Sequence, residues 1–500
     1  MYILGVDIGT TGTKAMLVRD DGRIIRRAYK GYPLLASKEN CIEQNAEDWW
    51  NTLVYTVNEC TKEMDDKHAI KAISVSAQGG SMVPIDENGT CLGNAMVWMD
   101  SRGSVEVDSL LSIKGEDWFY EKTGWKLAIG LNAVKIAWLK KNERNIFNMT
   151  AKYITTLDYI NYRLTGKYVI DPTNAAMTQL MDVSGKAWNH EILELLDIHE
   201  GQLPEICSSG SVLGQLTQNA AELLGLDKAV VAVNGGHDQY CGAVGAGAVH
   251  EGDILLSTGS AWVVLGISQK PLFENHTYVS VGRHIPDGLW GVLSSVPTAG
   301  VAMEWFKENV ALRTVKDGVL QAEDFAEIDK KAASRMENAR ELIFYPYYSG
   351  REFPKWNMNV KASLLGLSLQ HNSYDVARAM MEGVAFEVNH VLESYLAMGC
   401  PTNDLRVIGG AARSSLWMKI IANVIGSTII KFKETDMACI GAAILAGNAC
   451  GVFDGYEDGS RKIDAGEVIQ PSSGAERDFY LNKYKKYKKG IECLDSFYKI

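Results

Sequence analysis

The amino-acid sequence predicts an α/β protein made of two related halves. Apolar runs of strand length alternate with amphipathic segments of helix length along most of the chain, which is typical of sheets covered by helices. At 500 residues the chain is long enough for two or three domains. A strand–turn–strand pattern at the N-terminus also restarts near residue 252, which indicates an internal duplication.

The first half opens with apolar runs at 2–6 and 15–18, joined by a turn rich in glycine and threonine. A third strand is expected over 23–27, after the turn residues Asp-Asp-Gly. Apolar residues spaced at i, i+3, i+4 and i+7 predict an amphipathic helix over 46–64. The run KAISVS at 71–76 then predicts a further strand.

The second half repeats the opening. The segment GDILLSTGS at 252–260 reads as a strand entering a turn, and the apolar run 261–266 follows it. The small residues at 246–252 suit a connection, so we expect domains at 1–247 and 248–500. The apolar stretch 438–453 is shorter than the ~20 residues of a membrane helix and predicts a buried helix.

Composition excludes several classes of protein. A net charge of −11 argues against nucleic acid or an anionic membrane as the main partner, because both require a basic surface. Nine cysteines with no CxxC make a disulfide framework or a structural zinc site unexpected. The N-terminus lacks the pattern of a signal peptide, so we expect a cytoplasmic protein. The lysine-rich segment 483–489 predicts a solvated helix face.

The segment DIGTTGTK, from Asp7 to Lys14, is the first candidate site. An acid ends a buried strand, and the glycines let backbone N–H groups converge on a phosphate. Asp7 could bind Mg²⁺, which usually takes one or two carboxylates from a protein. The segment is not a Walker A loop, since GxxxxGK[ST] is missing. Together with a second turn at 257–260 it could clamp a triphosphate, and the alternative is a plain hairpin.

The segment NGGHDQ, from Asn234 to Gln239, follows the apolar strand 229–233. A carboxylate at the end of a strand beside glycines can face a cleft and accept a proton from a hydroxyl, so Asp238 is a candidate general base. The alternative is that Asp238 caps the next helix, with His237 as a hydrogen-bonded structural histidine.

Three further segments could contact ligands. Gln78-Gly79-Gly80 ends a predicted strand, and Trp98 and Asp100 could pack and hydrogen-bond a sugar. The alternative for Trp98 and Asp100 is that the tryptophan lies in the core and the aspartate forms a surface ion pair with Arg102. Gly409-Gly410 follows the strand 405–408 and could let a nucleotide lie against the backbone, or could be an ordinary loop.

Taken together, these segments resemble the FGGY carbohydrate kinase family, which lies in the superfamily of actin, hexokinase and Hsp70. DIGTTGTK and LSTGS are similar to the family's two phosphate loops, and GGHDQ is similar to the segment with its catalytic aspartate. GGAARSSLWMKIIANVIG from Gly409 resembles the family's C-terminal signature, and ARAMMEGVAFEV from Ala377 matches as well. The resemblance runs in order over nearly the whole chain.

The resemblance implies two actin-like (ribonuclease H-like) domains, related by duplication, with a cleft between them in which ATP binds. It implies phosphorylation of a small sugar by ATP and Mg²⁺, with xylulose as the expected ketopentose. Asp238 would be the catalytic base and Asp7 the metal ligand. The sugar-binding residues implied are Gln78, Gly79, Gly80, Trp98, Asp100 and Gln239. The nucleotide-binding residues implied are Thr10, Thr11, Gly12, Thr13, Lys14, Thr258, Gly259, Ser260, Gly300, Gly409, Gly410, Ala411 and Ser414.

The chain departs from the family's pattern in three places. Asn132 stands three residues before Lys135, where the family has Pro, Ser or Thr, and Ala422-Asn423 stands for Ala-Asp. Xylulokinases of the family typically carry Met-His after the glutamine, where this chain has Gly79 and Gly80. The sequence therefore leaves glycerol, erythritol and gluconate open as substrates.

Readings of another class also stay open. An actin- or Hsp70-like ATPase would share the two turns but not the segments around Trp98 and Asp238. A sugar sensor on a kinase scaffold would not need to keep both Asp7 and Asp238. The oligomeric state is open too, with a homodimer as the commonest arrangement for such enzymes.

Overall fold

The computed structural model describes residues 1–274, 279–311, 313–316, 319–353 and 356–499. Within these ranges the strands, numbered β1 to β24 in chain order, are Tyr2–Ile8, Gly12–Arg19, Ile24–Gly31, Leu35–Lys38, Cys41–Gln44, Ile70–Ala77, Val83–Ile85, Ala95–Met96, Lys152–Ile154, Val169–Ile170, Glu205–Ile206, Val212–Gln215, Val231–His237, Ile254–Thr258, Trp262–Ser268, Ser280–Arg283, Trp290–Val296, Arg313–Lys316, Val319–Ala322, Ile343–Tyr345, Ser363–Leu365, Leu405–Gly409, Ile429–Lys431 and Glu467–Ile469. The α-helices, numbered α1 to α17, are Ala46–Thr61, Ser104–Lys114, Glu116–Thr123, Asn132–Asn142, Arg144–Met149, Thr156–Thr165, Pro172–Met177, His190–Leu196, Gln218–Leu224, Asp238–Gly245, Ala299–Asn309, Phe325–Ala333, Ser373–Ala397, Ser415–Ile425, Met437–Ala449, Tyr456–Ile463 and Ala475–Phe497.

The chain divides into two compact units, each assembled from separate stretches. The first unit comprises Met1–Val249, Gln269–Val292 and Asp436–Ala465. The second comprises His250–Ser268, Leu293–Thr435 and the chain from Gly466 onward. The division of the sequence into domains at 1–247 and 248–500 stays a prediction.

The first unit is built on a six-stranded sheet with the order β12-β13-β6-β1-β2-β3. β1 and β2 form the predicted antiparallel hairpin, in which Asp7 lies opposite Lys14. β1 and β13 both run parallel to β6, which lies between them. Because parallel strands end at the same edge, the carboxyl ends of β1, β6 and β13 come together there.

Helices bury the central strand β1 of this sheet. The predicted amphipathic helix is α1, which ends at Thr61, and its residues Trp49, Leu53 and Val57 are buried in one core with Leu4 and Val6 of β1. The predicted buried helix is α15, and it contacts β1 closely. A side chain at Gly5 would place a Cβ 2.2 Å from the carbonyl oxygen of Cys439 in α15, so this contact requires glycine.

The second unit repeats the strand pairing of the first. Five consecutive strands of its sheet lie in the order β15-β14-β22-β23-β24. β14 pairs antiparallel with β15 and parallel with β22, which pairs parallel with β23, and β24 closes the row antiparallel. The row β2-β1-β6-β13-β12 shows the same succession of antiparallel, parallel, parallel and antiparallel pairs. The predicted duplication within an α/β chain is confirmed by this topology.

The long helices α13 and α17 belong to the second unit. The prediction of a solvated face at 483–489 is wrong for Lys483, whose Nζ is buried, donates to the carbonyl oxygen of Ala339 over 2.6 Å and pairs with Glu382. A buried counter-charge keeps this lysine inside. Lys486 and Lys488 of the same helix are exposed. Among the described residues, no helix is long and apolar enough to cross a membrane.

Candidate active site

Asp7 lies at the carboxyl end of β1, where the chain turns into β2. The Ser76 hydroxyl donates to its Oδ1 over 2.8 Å. Burial raises the pKa of Asp7 to about 7, and the negative charge of Asp238 is the next largest cause. A divalent cation would relieve this repulsion, so the residues present fit the predicted Mg²⁺. Among the described residues, no group of three or more His, Cys, Asp and Glu side chains could hold a metal alone.

The turn after Asp7 is closed by a hydrogen bond of 3.1 Å from the Gly9 N–H to the carbonyl oxygen of Gly12. Thr10 is partly exposed and Thr11 is exposed, as a ligand-binding turn requires. Thr13 is fully buried instead, and its hydroxyl shares a hydrogen bond of 2.7 Å with Thr52. The structure therefore uses the Thr13 side chain inside the core.

Lys14 is partly exposed, and its Nζ forms an ion pair of 2.6 Å with Asp436. Burial lowers the pKa of Lys14, but the hydrogen bond to Asp436 and the negative charges of Asp436 and Asp7 together outweigh it, and the net shift is upward. The ammonium group is therefore charged beside the turn.

Asp238 begins α10, directly after β13. The register pairs Ile8 with Ala77 and Ala77 with His237, so the three strand ends are level. At ~4.8 Å per strand, the ends of β1 and β13 are roughly 10 Å apart. The Asp238 side chain is 31% exposed, and its Oδ1 lies 3.2 Å from Nε2 of His237. Asp7 and Asp238 thus stand on one edge of one sheet.

Gln78 links this edge to the turn. Its Nε2 donates to Oε1 of Gln44 over 2.7 Å, and Nε2 of Gln44 donates to the carbonyl oxygen of Thr10 over 2.6 Å. Trp49 donates to the same Gln44 oxygen over 3.0 Å. The chain of bonds fixes the position of the turn relative to the end of β6.

Gly79 and Gly80 follow Gln78, and the buried side chain of Lys135 is hydrogen-bonded to this segment. Its Nζ donates to the carbonyl oxygens of Gly80 and of Met96, the latter over 2.9 Å. Burial lowers the pKa of Lys135 to about 7. Gly80 has a φ of 65°, in the left-handed region that favours glycine.

The predicted sugar-binding residues Trp98 and Asp100 differ in their exposure to solvent. The Trp98 side chain is 48% exposed, and its Nε1 donates to Oγ1 of Thr10 over 3.0 Å. Asp100 is only 1% exposed, accepts from the backbone N–H of Ile42 over 2.8 Å and pairs with Arg102. Trp98 therefore offers an indole surface at the site, while the carboxylate of Asp100 is engaged within the protein.

Three polar atoms around this edge are buried without a hydrogen-bond partner among the described residues: Oε1 of Gln78, Nδ1 of His237 and Oε1 of Gln239. An unsatisfied buried polar group costs about 1–3 kcal/mol. Such a cluster at one sheet edge is typical of a site adapted to a polar ligand. We call Asp7, Gln78, His237, Asp238 and Gln239 the strand-end group.

The second unit holds a cavity of about 940 Å³, within the size range of small-molecule sites. Seven of the predicted nucleotide-binding residues line this second-unit cavity: Thr258, Gly259, Ser260, Gly300, Gly410, Ala411 and Ser414. Gly409 lies next to them, at the end of β22.

Close backbone contacts shape the second-unit cavity. A Cβ at Gly300 would lie 2.0 Å from the carbonyl oxygen of Gly259, so α11 begins in contact with the turn after β14. The Thr258 hydroxyl donates to the carbonyl oxygen of Ile408 over 2.6 Å and accepts from the N–H of Ala411 over 3.2 Å. The two loops are thereby joined.

Sequence reasoning missed one wall of this cavity. Helix α12 contributes Phe325, Ala326, Asp329, Lys330 and Ala333 to the lining. Burial raises the pKa of Asp329, against a hydrogen bond with Ser414 that lowers it. The helix has a cap at Asp324 but no motif, so only its amphipathic spacing could have pointed to it.

Comparison with known proteins supplies the family. The model of the "FGGY family of carbohydrate kinases, N-terminal domain" matches residues 2–245, and the model of the family's C-terminal domain matches residues 254–450. The chain is 27% identical to a xylulose kinase of Bacillus subtilis, over 100% of this chain and 99% of that protein. It is also 27% identical to a gluconokinase of the same species, over 91% and 89%. A crystal structure of a xylulose kinase from Rhodospirillum rubrum matches with a TM-score of 0.91 and 25% identity, over 100% of both chains.

Proposed function

Given that this chain belongs to the FGGY family of carbohydrate kinases, we propose that it transfers the terminal phosphoryl group of ATP to a hydroxyl group of xylulose or a similar ketopentose. The observation that carries the proposal is the partly exposed Asp238 carboxylate, on the same sheet edge as Asp7. Xylulose is favoured because relatives that cover the whole chain bear that name.

In the proposed reaction the sugar lies over the strand-end group and against Trp98. Asp238 accepts the proton of the sugar hydroxyl as its oxygen bonds to the terminal phosphorus. The bond between that phosphorus and the bridging oxygen of ADP breaks, and ADP leaves. Since the transition state is loose, positioning and charge stabilisation supply most of the catalysis.

ATP, as the family's phosphate donor, binds in the second-unit cavity under this proposal. The apolar side chains of Phe325 and Trp417 would receive the base, and the N–H groups near Gly259 and Gly410 the phosphates. Transfer requires the phosphate chain of the bound ATP to reach the sugar hydroxyl. Lys14 adds positive charge to the first turn.

Mg²⁺ belongs to the same proposal, with Asp7 as its protein ligand. When bound, the ion would neutralise part of the negative charge of the phosphate groups. Turnover should depend on Mg²⁺, and Asp7→Ala should remove Mg-ATP-dependent turnover while leaving sugar binding intact. Equal activity of Asp7→Ala and the parent protein at all Mg²⁺ concentrations would contradict this role.

A cytoplasmic location and a homodimer stay predictions within this proposal. None of the nine cysteines, all of which the structure describes, forms a disulfide, which supports a reducing compartment. Fractionation of the native host would test the location, and light scattering the oligomeric state.

Gluconate is the second candidate substrate, because a gluconokinase is among the relatives of similar identity. A coupled assay of ADP release should compare xylulose, ribulose, gluconate, glycerol and erythritol with a blank without sugar. We expect the largest kcat/KM with a ketopentose. ADP release that is the same with and without every sugar would favour an ATPase, and no release with any of them would favour a sensor.

A further inference from the structure

Gly79 lies directly against the imidazole ring of His237. A Cβ at position 79 would stand 2.6 Å from Cδ2 and 2.8 Å from Nε2 of that ring, closer than real Cβ atoms approach. The backbone of Gly79 lies outside the left-handed region, unlike that of Gly80. Glycine is therefore required at position 79 for the space it leaves to the ring, rather than for its backbone conformation.

The ring of His237 is held in place from several sides. The residue is 6% exposed, and its backbone N–H donates to Oγ1 of Thr173 over 2.8 Å. The ring of Tyr240 lies 6.0 Å away, and a Cβ at Gly79 would also meet Cγ of Met177 at 2.9 Å. The ring therefore lies buried among other side chains, with position 79 directly beside it.

The polar contact of the ring is with the candidate base. Nε2 of His237 lies 3.2 Å from Oδ1 of Asp238, and Nδ1 has no partner among the described residues. An ionised carboxylate can only accept a hydrogen bond, so a hydrogen bond across this contact requires the imidazole hydrogen on Nε2. Asp7 lies close enough to Asp238 for the two charges to interact, and Asp171 acts on the neighbouring side chains of Tyr240 and Cys241.

We propose that His237 is a positioning residue, which fixes Oδ1 of Asp238 so that Oδ2 is presented to the sugar hydroxyl, and that Gly79 is the residue that admits its ring. The inference deepens the proposed function and rests on Asp238 as the proton acceptor there. The same contact bears on sugar specificity. The imidazole fills the space that a side chain at position 79 would occupy, so under this proposal His237 replaces that side chain as the wall of the sugar site.

The first test compares two variants of similar size. His237→Gln keeps an N–H group near the position of Nε2, and His237→Met fills the space without a donor. A hydrogen bond to a charged group supports an effect of about 10- to 100-fold. We expect His237→Met to lower kcat by that factor with little change in KM for the sugar, and His237→Gln to restore most of kcat. Equal activity of the two variants, or a change in KM alone, would overturn the proposal.

The second test is a double-mutant cycle between positions 79 and 237. Gly79→Ala should turn the ring away from Asp238 and lower kcat about tenfold or more. In the His237→Ala background the imidazole contacts are gone and Cγ of Met177, at 2.9 Å, is the remaining close atom. A methionine side chain can shift, so Gly79→Ala should cause little further loss there. Additive losses would show that Gly79 acts independently of His237 and would overturn the proposal.

Gly93→Ala is the matched control, since no atom lies within 4 Å of a Cβ there and its backbone lies outside the left-handed region. Its kcat should equal that of the parent protein. The proposed function itself would fail on other results. Either the parent protein would show no sugar-dependent ADP release, or Asp238→Asn would be fully active. An active parent and an inactive Asp238→Asn, together with an unaffected His237→Met, would refute this inference alone.

Discussion

The hydroxyl of Ser76 donates a hydrogen bond of 2.8 Å to Oδ1 of Asp7, from the strand that separates Asp7 from Asp238. Ser76 lies opposite Asp7 in the register of β1 and β6, and opposite Gly236 in that of β6 and β13. Strand β6 thus orients Asp7 through Ser76, and β13, on the other side of β6, leads into Asp238. Two acids on one sheet edge repel each other, and this repulsion has measurable consequences.

The first consequence is an effect of Asp7 on stability that depends on pH. Its pKa is about 7 in the folded protein, chiefly through burial, and near 4 in an unfolded chain. The folded state therefore binds the proton more tightly, and the stability of the metal-free protein falls as the pH rises from about 4 through 7. Asp7→Asn cannot ionise, so it should melt about 2–4 °C above the parent protein at pH 8.

Thermal unfolding in EDTA at pH 5 and pH 8 measures this effect. The difference between the two proteins should be clearly smaller at pH 5 than at pH 8, because pH 5 lies only about one unit above the pKa of Asp7 in the unfolded chain. A lower melting temperature of Asp7→Asn at pH 8, or the same difference at both pH values, would contradict the raised pKa.

The second prediction concerns the second-unit cavity. Gly409 has a φ of 93°, and a Cβ there would lie 2.6 Å from the carbonyl oxygen of Thr258. Gly409→Ala should displace the end of β14 and the turn that follows it, and raise KM for ATP by about tenfold or more, since a misplaced binding group loses its contacts. KM for the sugar should change little. Initial rates at varied ATP and varied sugar separate the two constants.

Gly399→Ala is the control for this prediction. Gly399 has a similar φ of 86°, but no atom lies within 4 Å of a Cβ there. This variant carries the backbone strain of about 1 kcal/mol without the clash, so it should lower stability and leave KM for ATP unchanged. Equal KM values for ATP in the two alanine variants would exclude a specific role of Gly409.

The third prediction concerns Lys135, which ties the carbonyl oxygens of Gly80 and Met96 together. Lys135→Met keeps the length of the side chain and removes both hydrogen bonds. Because both carbonyls belong to the segments that carry the predicted sugar-binding residues, KM for the sugar should rise about tenfold, the effect of one to two hydrogen bonds. KM for ATP should stay the same.

Lys141→Met on the same helix serves as the comparison, because the Lys141 side chain is 60% exposed and its ion pair is with Glu106, rather than with the segments of Gly80 and Met96. It should leave both Michaelis constants unaltered. A rise in KM for ATP rather than for the sugar in Lys135→Met would show that the lysine serves another site.

The sheet edge with Asp7 and Asp238 could be predicted from the sequence because its signals are local. A buried strand, a turn of glycine and threonine, and an acid after a second strand are each visible within about ten residues. The repeat at 252–266 was equally visible, since the second hairpin copies the order of the first. Parallel pairing of β1, β6 and β13 then places the ends together.

What the sequence did not reveal depends on contacts between distant residues. The apolar pattern of α15 predicts burial, but the partner of Cys439 is the carbonyl oxygen of Gly5, 434 positions away and 3.1 Å distant. Likewise Lys483 is buried because Glu382 faces it. No local period encodes such a counter-charge or such a partner.

The different exposures of Trp98 and Asp100 also could not be predicted from the local sequence pattern. Asp100 is buried because its carboxylate is satisfied by Arg102 and by the backbone of Ile42, while Trp98 keeps an exposed ring through its bond to Thr10. Arg102 is a local partner, but Ile42 lies 58 positions from Asp100 and Thr10 lies 88 positions from Trp98.

The most direct test of the proposed reaction is formation of sugar phosphate by the parent protein and by Asp238→Asn, followed by ³¹P NMR with ATP, Mg²⁺ and xylulose. The parent protein should convert ATP to ADP and a new phosphomonoester in equal amounts. Asp238→Asn should do so about 10²- to 10⁴-fold more slowly while binding the sugar with similar affinity, since it lacks the proton acceptor. Phosphomonoester formation by Asp238→Asn at the parent rate would contradict the assignment of Asp238 as the base.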